Sequence, residues 1–171
     1  ALVNGGVMIN PTLFPRTEQE ALRTATRVVS PETSEHVRQL LRLNALEGSG
    51  NIMNGFAERY DVGGKTGTAE KVINGRYSKT RLFTTFMAVA PSDQPKYLFL
   101  TIMDEPQGLP ETGGYATAAY NSGYVTGQII QRVGPVLGLA PRFEPPHEPF
   151  PLLAKLGYGM ANTPAVGGAK H

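Results

Sequence analysis

The chain has 171 residues, of which 40% are hydrophobic, and this is enough for one soluble globular domain with its own core. Its 16 basic and 14 acidic residues leave a net charge of +2, too low for the dense basic surface that nucleic-acid binding needs. The absence of cysteine excludes thiolate catalysis, disulfides and iron–sulfur ligation, and three scattered histidines argue against a histidine metal site. No apolar stretch approaches the ~20 residues that span a bilayer, so we expect no transmembrane segment.

The N-terminal third is predicted to hold a short strand and one long helix. Val7-Met8-Ile9 is a short apolar run closed by Asn-Pro, which indicates a strand or an extended segment. Ser30 can cap the first amides of a helix, and Pro31 suits the first helical position because it lacks an N–H donor. Apolar residues then recur at helical spacing until Gly48-Ser49-Gly50. We therefore predict a helix from Pro31 to about Leu46.

The middle of the chain is predicted to form an antiparallel sheet. Residues 83–90 and 97–103 are rich in β-branched and aromatic side chains, and the five residues between these segments suit a hairpin. A third strand is expected between Tyr60 and Val72, joined to residue 83 through a turn at Asn74-Gly75. Because both faces of the 83–90 strand carry apolar side chains, we expect the sheet to be covered on both sides.

The last part of the chain divides into a predicted helix and a tail. Small and apolar residues recur at helical spacing from Tyr115 to Val133, which predicts a helix packed on the sheet. After residue 140 prolines crowd together, and the end of the chain is rich in glycine and alanine. This composition is typical of a linker or a surface coil. We therefore divide the chain into a folded part, residues 1–140, and a Pro/Gly-rich C-terminal tail, residues 141–171.

The segment from Gly64 to Thr68 carries the clearest chemical signal. Gly64-Lys65-Thr66 matches the last three positions of a phosphate-binding P-loop, but that motif also needs a glycine where Arg59 stands. The P-loop further needs a helix after its lysine and threonine, whereas this sequence predicts a strand and an Asn-Gly turn. Lys65-Thr66-Gly67 instead matches the Lys-Thr-Gly element of serine enzymes that react with penicillin.

A bare Lys-Thr-Gly triplet recurs by chance, so the surrounding sequence decides how much it means. Further segments stand around it in a fixed order: Ala1-Leu2-Val3-Asn4-Gly5-Gly6, Arg27-Val28-Val29-Ser30-Pro31-Glu32-Thr33, Glu47-Gly48-Ser49-Gly50, Gly64 to Lys71, Phe86-Met87-Ala88-Val89-Ala90-Pro91 and Asp104-Glu105-Pro106-Gln107-Gly108. In order and spacing, residues 1–140 closely resemble the C-terminal half of the transpeptidase domain of class B penicillin-binding proteins, most like the septal, cell-division type.

The resemblance implies an α/β (α+β) domain of the penicillin-binding transpeptidase and serine β-lactamase-like fold, with an antiparallel sheet and helices on both faces. It also implies a peptidoglycan D,D-transpeptidase that cross-links stem peptides in septal wall synthesis and is acylated by β-lactams, without a metal or cofactor. The parent protein would be anchored in the bacterial inner membrane with this portion in the periplasm. Its expected partners are the stem peptide, β-lactam antibiotics and other cell-division proteins, and nucleic acid is not among them.

The chemistry of such an enzyme gives these residues a purpose. The site must hold the carboxylate of a D-alanyl-D-alanine stem peptide and stabilise the oxyanion that forms when a serine attacks the carbonyl. On a strand Thr66 and Thr68 point the same way and can both donate to that carboxylate, while Gly67 lets another backbone or the ligand approach. The resemblance adds that Lys65 supplies positive charge in the serine–lysine network and that the Thr68 backbone N–H is an oxyanion donor. Strict alternation places Lys65 on the opposite face, so its long side chain or a local twist at Gly63-Gly64 must bring the ammonium to the site.

The catalytic serine itself is not found in this sequence. No serine is followed by lysine at the third position after it, so the Ser-x-x-Lys nucleophile and base are absent from the 171 residues. Ser49-Gly50-Asn51 has the letters of the second family motif, but it stands in the glycine loop before Lys65, where the family does not place that motif. The chain also opens without an initiator methionine. We therefore expect it to start inside a larger protein, to need the preceding part of that protein and to be inactive alone.

Two other functions share part of this pattern. A β-lactamase or a β-lactam sensor of the same fold also carries Lys-Thr-Gly, but it hydrolyses or detects the drug. A non-catalytic interaction module of a cell-wall or division assembly would retain the fold alone. The rate of deacylation separates the first alternative from a transpeptidase, and a Ser-x-x-Lys motif upstream in the gene argues against the second.

The charged residues outside the motif are expected to play structural roles. The adjacent carboxylates of Asp104 and Glu105 resemble an acid–base pair, but neighbouring residues on a strand point apart, which favours a structural role at the strand end. Lys71, Arg76, Lys79 and Arg81 are expected to form a solvated face of the Asn-Gly hairpin, and the alternative is a cationic rim that favours anionic peptidoglycan.

Overall fold

The computed structural model describes residues 1–143 and residue 152. Short 3-10 turns flank the helix Asn54–Ala57 and precede the helix Ser122–Val133. The predicted tail, residues 141–171, lies outside the described residues except for residues 141–143 and 152. The helices and strands are, in chain order, β1 (Val7–Met8), α1 (Glu18–Arg23), β2 (Thr26–Arg27), α2 (Pro31–Glu47), α3 (Asn54–Ala57), β3 (Gly63–Ile73), β4 (Arg76–Ala90), β5 (Tyr97–Asp104) and α4 (Ser122–Val133).

The main sheet contains three strands in the order β3-β4-β5, and both neighbouring pairs are antiparallel. Strands β3 and β4 are joined through Asn74 and Gly75, whose φ angles of 52° and 77° lie in the left-handed region that two-residue hairpin turns favour. The short strands β1 and β2 pair with each other in a separate two-stranded sheet. The strands and hairpins predicted from the sequence are present, and the predicted mixed fold of helices with an antiparallel sheet is confirmed.

Helix α4 covers one face of the sheet. Phe86, at the centre of β4, is fully buried, and it packs closely against Gly123 at the start of α4. Further along this helix, Thr126 donates a hydrogen bond to the Thr101 hydroxyl of β5 over 2.7 Å. The hydrophobic core therefore lies between this face and the helices. Its most buried members include Ala45, Met53, Ala57, Val62, Phe86, Ala88, Ala90 and Ile130.

The opposite face of the sheet is covered at one end only. There a Cβ on Gly63 would lie 3.1 Å from the Arg42 backbone nitrogen of α2, and the neighbouring Val89 is fully buried. Farther along the sheet, large apolar side chains of β4 and β5 remain 38–58% exposed, namely Phe83, Leu98, Leu100 and Ile102. Sequence patterning predicted cover on both sides, but the described residues provide only part of the second cover.

Helix α2 begins and ends where its sequence signals lie. The Ser30 hydroxyl accepts a hydrogen bond from the Thr33 backbone N–H over 3.0 Å, and Pro31 occupies the first helical position. At the other end the backbone N–H of Gly48 donates to the Asn44 carbonyl over 3.0 Å. The helix predicted to end at about Leu46 thus ends at Glu47. None of the helices in the described part of the chain combines the length and apolar character that a bilayer crossing requires.

Helix α4 begins later than its sequence pattern predicted. The apolar spacing suggested a start at Tyr115, whereas the helix starts at Ser122. Residues Ala118–Tyr120 form a 3-10 turn instead, and Asn121, with φ −130° and ψ −80°, separates this turn from the helix. Asn121 then caps the helix, since its Oδ1 accepts from the Ser122 N–H over 2.6 Å. Small residues before this cap mimic a helical pattern but serve a loop that reaches the sheet.

Candidate active site

Strand β3 presents the motif residues on the edge of the main sheet. It pairs with β4 on one side, and within residues 1–143 no strand pairs with its other side. Lys65 and Thr68 are exposed, and Thr66 and Gly67 are half-buried. An unpaired strand edge offers backbone donors and acceptors to an extended peptide, which then adds to the sheet as a further strand. The motif is therefore accessible from a side where a peptide can bind.

The Lys65 ammonium lies beside Thr66. Lys65 Nζ donates to the Thr66 backbone carbonyl over 2.9 Å and to Thr66 Oγ1 over 3.3 Å. Alternation along the strand sends the two side chains to opposite faces, so the four-carbon stem of the lysine must fold back around the strand edge. The sequence predicted that either the long lysine side chain or a twist at Gly63-Gly64 brings the ammonium to the site. In the structure the side chain itself extends to Thr66. A cation and a hydroxyl thus stand side by side at the edge of β3.

A serine from outside the strand joins this pair. Ser49, in the loop that follows α2, places its Oγ 2.8 Å from Thr66 Oγ1. Sequence reasoning set aside Ser49-Gly50-Asn51 because its position did not fit the second family motif. The signal that pointed to this residue was the segment Glu47-Gly48-Ser49-Gly50 among the family-like segments. That segment placed the loop among the family-like segments, but it did not predict a contact between Ser49 and Lys65-Thr66-Gly67.

Thr68 lies next to a different part of the chain. Its Oγ1 accepts a hydrogen bond from the Ala118 backbone N–H over 3.0 Å. Because a hydroxyl both donates and accepts, this contact leaves the Thr68 hydroxyl hydrogen for a second partner. Thr66 and Thr68 therefore share a face as the strand period predicted, but one contacts the loop after α2 and the other contacts the loop before α4.

Gly67 makes room for strand β4. A Cβ at this position would lie 2.5 Å from Thr85 Oγ1, much closer than carbon and oxygen atoms can approach. Thr85 is the direct cross-strand partner of Gly67. The sequence suggested that the glycine admits another backbone or a ligand, and in the structure a side chain of the neighbouring strand uses that space. Gly67 thus supports the site from within the sheet.

The far end of β3 is held by an ion-pair cluster. Lys71 Nζ donates to Asp104 Oδ1 and to Glu105 Oε1, each over 2.8 Å. The two carboxylates meet at one ammonium because Glu105 has a φ of 50°, outside the extended conformation in which neighbouring residues point apart. The hydrogen bonds that Lys71 donates to Asp104 and Glu105 raise the pKa of Lys71. These carboxylates therefore fix β3 to the end of β5, which agrees with the structural role expected for them.

The edge of β3 differs from a P-loop and carries groups that can donate hydrogen bonds. Residues after Lys65 continue as a strand to Ile73, whereas a P-loop requires a helix there. Within the described part of the chain no group of three or more His, Asp and Glu side chains is placed to hold a metal ion. What the edge of β3 offers is one ammonium, several hydroxyls and an open row of backbone groups. These are the donors that a carboxylate and an extended backbone need.

Comparison with known proteins identifies the class to which this fold and site belong. Residues 1–131 match the family model of the penicillin binding protein transpeptidase domain. The chain therefore belongs to this family, and the resemblance noted in the sequence is confirmed.

Individual relatives make the identification more specific. The chain is 34% identical over 151 residues to stage V sporulation protein D of Bacillus subtilis, covering 83% of this chain and 22% of that protein. It is 33% identical over 152 residues to a probable peptidoglycan D,D-transpeptidase FtsI of Caulobacter vibrioides, covering 84% of this chain and 26% of that protein. The chain thus spans about a quarter of the length of these curated relatives.

Solved structures agree on the fold. Penicillin-binding protein 3 of Mycobacterium tuberculosis, in complex with ampicillin, is 26% identical with a TM-score of 0.60, and the match covers 85% of this chain and 34% of that one. The transpeptidase domain of Burkholderia pseudomallei penicillin-binding protein 3 has a TM-score of 0.63 at 24% identity, covering 84% of this chain and 41% of that domain. The chain therefore has the fold of part of a penicillin-binding transpeptidase domain.

Proposed function

We propose that the parent protein is a peptidoglycan D,D-transpeptidase that cross-links stem peptides, and that Lys65, Thr66, Gly67 and Thr68 form one wall of its active site. The observation that carries this proposal is the position of Lys65-Thr66-Gly67 on the accessible edge of β3, with the Lys65 ammonium 3.3 Å from the Thr66 hydroxyl. The name of the Caulobacter vibrioides relative, a probable peptidoglycan D,D-transpeptidase, supports the same reaction. A septal role in cell division rests on the likeness of the sequence segments to the septal type.

In this mechanism the polar residues of the wall bind the substrate and stabilise charge. The stem peptide lies along β3 as an added strand, and Thr66 and Thr68 donate their hydroxyl hydrogens to its terminal carboxylate. The serine oxygen attacks the carbonyl carbon of the D-alanyl-D-alanine bond, and the Thr68 backbone N–H stabilises the oxyanion. Lys65 supplies positive charge to the serine–lysine network. The terminal D-alanine leaves with the proton that the serine has lost. The amine of a second stem peptide then attacks the acyl carbon, the ester bond to the serine breaks, and the proton from the amine returns to the serine oxygen.

The serine nucleophile and its lysine base have to come from another part of the parent domain. No Ser-x-x-Lys occurs in the 171 residues. The match to the Burkholderia pseudomallei transpeptidase domain covers 41% of that domain, which leaves ample chain for the missing elements. The exposed apolar side chains of β4 and β5 are the surface that this remaining part would cover. Membrane anchoring and a periplasmic location of the parent are part of the same proposal.

Reaction with β-lactams follows from the same wall. These drugs present a carboxylate or sulfonate next to a strained amide, so Thr66 and Thr68 would hold the anion while the serine opens the ring. Mycobacterium tuberculosis penicillin-binding protein 3 has been solved in complex with ampicillin and with aztreonam, which supports this reactivity. The proposal therefore includes acylation of the parent protein by both classes of drug.

The proposal is tested by labelling the full-length protein with a fluorescent penicillin. We expect a stable covalent adduct on the full-length protein and none on the 171-residue chain alone. Lys65→Ala should slow labelling about 100-fold, the size of effect seen when a charge-stabilising group is removed from an active site. Lys79→Ala, an exposed lysine of the β3–β4 hairpin, is the matched control and should label at the wild-type rate.

The outcomes of this experiment separate the alternatives. Failure of the full-length protein to label would overturn the enzymatic proposal and favour a non-catalytic interaction module. An adduct that hydrolyses within seconds would identify a β-lactamase instead. Release of D-alanine from a stem-peptide substrate, with transfer to an added acceptor amine, is the result expected of a transpeptidase.

A further inference from the structure

One of the hydrogen bonds at Thr66 has a fixed direction. An ammonium can only donate, so Thr66 Oγ1 must be the acceptor in its contact with Lys65 Nζ. This contact leaves the Thr66 hydroxyl hydrogen for another acceptor. Ser49 Oγ, at 2.8 Å, provides one at a normal distance for a hydrogen bond between hydroxyls. The orientation of the Thr66 hydroxyl thus depends on Ser49.

Ser49 is in turn connected to helix α2. Asn44 Nδ2 donates to the Gly64 carbonyl over 2.7 Å, which fixes the amide so that Oδ1 faces the loop. Ser49 Oγ lies 3.5 Å from that Oδ1, a long and weak contact in which the serine hydroxyl donates. These contacts connect Thr66 of β3, through Ser49 and Asn44, to the Gly64 carbonyl of the same strand. Gly64 and Thr66 are the two neighbours of Lys65 in the sequence.

The loop that carries Ser49 is shaped to hold this position. A Cβ on Gly48 would lie 2.3 Å from Asn44 Oδ1, so only glycine leaves room for the asparagine amide. The backbone N–H of Gly50 donates to the Asn44 carbonyl over 3.2 Å. Ser49 is therefore held between two residues that are tied to the end of α2, although its own side chain is exposed.

We propose that Ser49 is a positioning residue of the transpeptidase site, which orients the Thr66 hydroxyl and, through it, the Lys65 ammonium. The proposal rests on the proposed function. Ser49 acts on the substrate through Thr66, which presents its oxygen to the ammonium and its hydrogen to Ser49 until a carboxylate arrives. When the substrate carboxylate binds, the Thr66 hydrogen turns to it from a defined starting rotamer. Ser49 thus reduces the number of orientations that Thr66 must give up on binding.

The test is a double-mutant cycle on the full-length protein, using the second-order rate constant of acylation by benzylpenicillin. Ser49→Ala should lower this constant about three- to tenfold, as expected for one hydrogen bond. Ser49→Thr keeps the hydroxyl and should stay within about twofold of the wild type. On a Thr66→Val background, Ser49→Ala should have no further effect, because the hydroxyl that it orients is gone. Additive losses in the cycle, or wild-type acylation by Ser49→Ala, would overturn the proposal.

A matched control and a folding check accompany the cycle. Ser78 and Thr80 form a similar hydroxyl pair in the β3–β4 hairpin, at 3.3 Å, so Ser78→Ala should leave acylation unchanged. Ser49→Ala could also lower the thermal midpoint of unfolding. In that case, recovery of both the midpoint and the acylation rate in Ser49→Thr supports positioning. Failure of Ser49→Thr to restore the acylation rate counts against it. If the wild-type protein is not acylated at all, the proposed function fails, whereas an acylated wild type with an inert Ser49 fails this inference alone.

Discussion

The Lys65 ammonium reaches the Thr66 hydroxyl although the two side chains leave β3 on opposite faces. Strand alternation is a reliable guide for short side chains such as Thr66 and Thr68, whose hydroxyls stay close to the backbone. It is a poor guide for lysine, whose stem is long enough to bend around a strand edge. The same limit applies to Gly67, because alternation shows which face it occupies but not that Thr85 of β4 fills the space beside it.

Gly67→Ala tests the contact between Gly67 and Thr85. The added methyl would clash with Thr85 Oγ1, so we expect the full-length protein to lose about 1–3 kcal/mol of stability and to be acylated more slowly. Thr85→Ala removes the clashing hydroxyl and should recover most of both losses when combined with Gly67→Ala. Thermal unfolding and acylation rates measure the effects.

Gly55→Ala is the control for the Gly67 substitution. A Cβ on Gly55 meets nothing within 4 Å, so alanine should be tolerated or slightly stabilising in helix α3. A Gly67→Ala protein as stable and as active as Gly55→Ala would show that the sheet accommodates the methyl group without cost. That result would contradict a tight contact between Gly67 and Thr85.

Helix α2 organises one side of the candidate site. Its first turn is fixed by the Ser30 cap, and its last turn carries Asn44, which binds the Gly64 carbonyl at the start of β3. A cap acts locally, whereas Asn44 joins two elements that are distant in the sequence. Movement of the helix would therefore be transmitted to Gly64 and Ser49, on either side of the Lys65–Thr66 pair.

Ser30→Ala tests the contribution of the helix cap. Loss of the hydrogen bond from the Thr33 N–H should cost about 1 kcal/mol, which in a domain of this size is a fall of about 2–4 °C in the thermal midpoint. Ser30→Asp keeps a side-chain acceptor and a favourable charge at the helix start, so it should restore the midpoint. Equal midpoints for wild type and Ser30→Ala would contradict a stabilising cap.

At the scale of the whole molecule, a charged network joins segments that lie far apart in the chain. The buried Arg42 of α2 donates to the Val62 carbonyl over 2.9 Å and to Asp61 Oδ1 over 3.2 Å, just before β3. Asp61 also binds Arg142, which pairs with Asp93 in the β4–β5 turn. Burial lowers the pKa of Arg42, and the charge of Asp61 opposes this change. The network therefore connects helix α2, the residues just before β3, the β4–β5 turn and Arg142.

Substitutions in this network should have unequal effects. Asp61→Asn tolerates the φ of 48° but leaves the Arg42 guanidinium buried without its counter-charge, so we expect a loss of about 3–5 kcal/mol of stability. Arg142→Ala breaks half-exposed ion pairs and should cost at most about 1 kcal/mol. Thermal unfolding of the full-length variants gives both values. If Arg142→Ala proved the more damaging change, the buried pair would not be the centre of this network.

The sequence by itself determined the elements whose signals are local: the helix from Pro31, the Asn74-Gly75 hairpin, the antiparallel strands and the Lys65-Thr66-Gly67 motif with its family. Caps, turn residues and side-chain periods act over a few residues, so they can be read without the fold. Only the tertiary structure decided where α4 starts, how Lys65 reaches Thr66, and that Ser49 contacts the site. These outcomes depend on contacts between residues that are brought together by the fold, such as those of Ser49 with Thr66 and of Ala118 with Thr68, which no local pattern specifies.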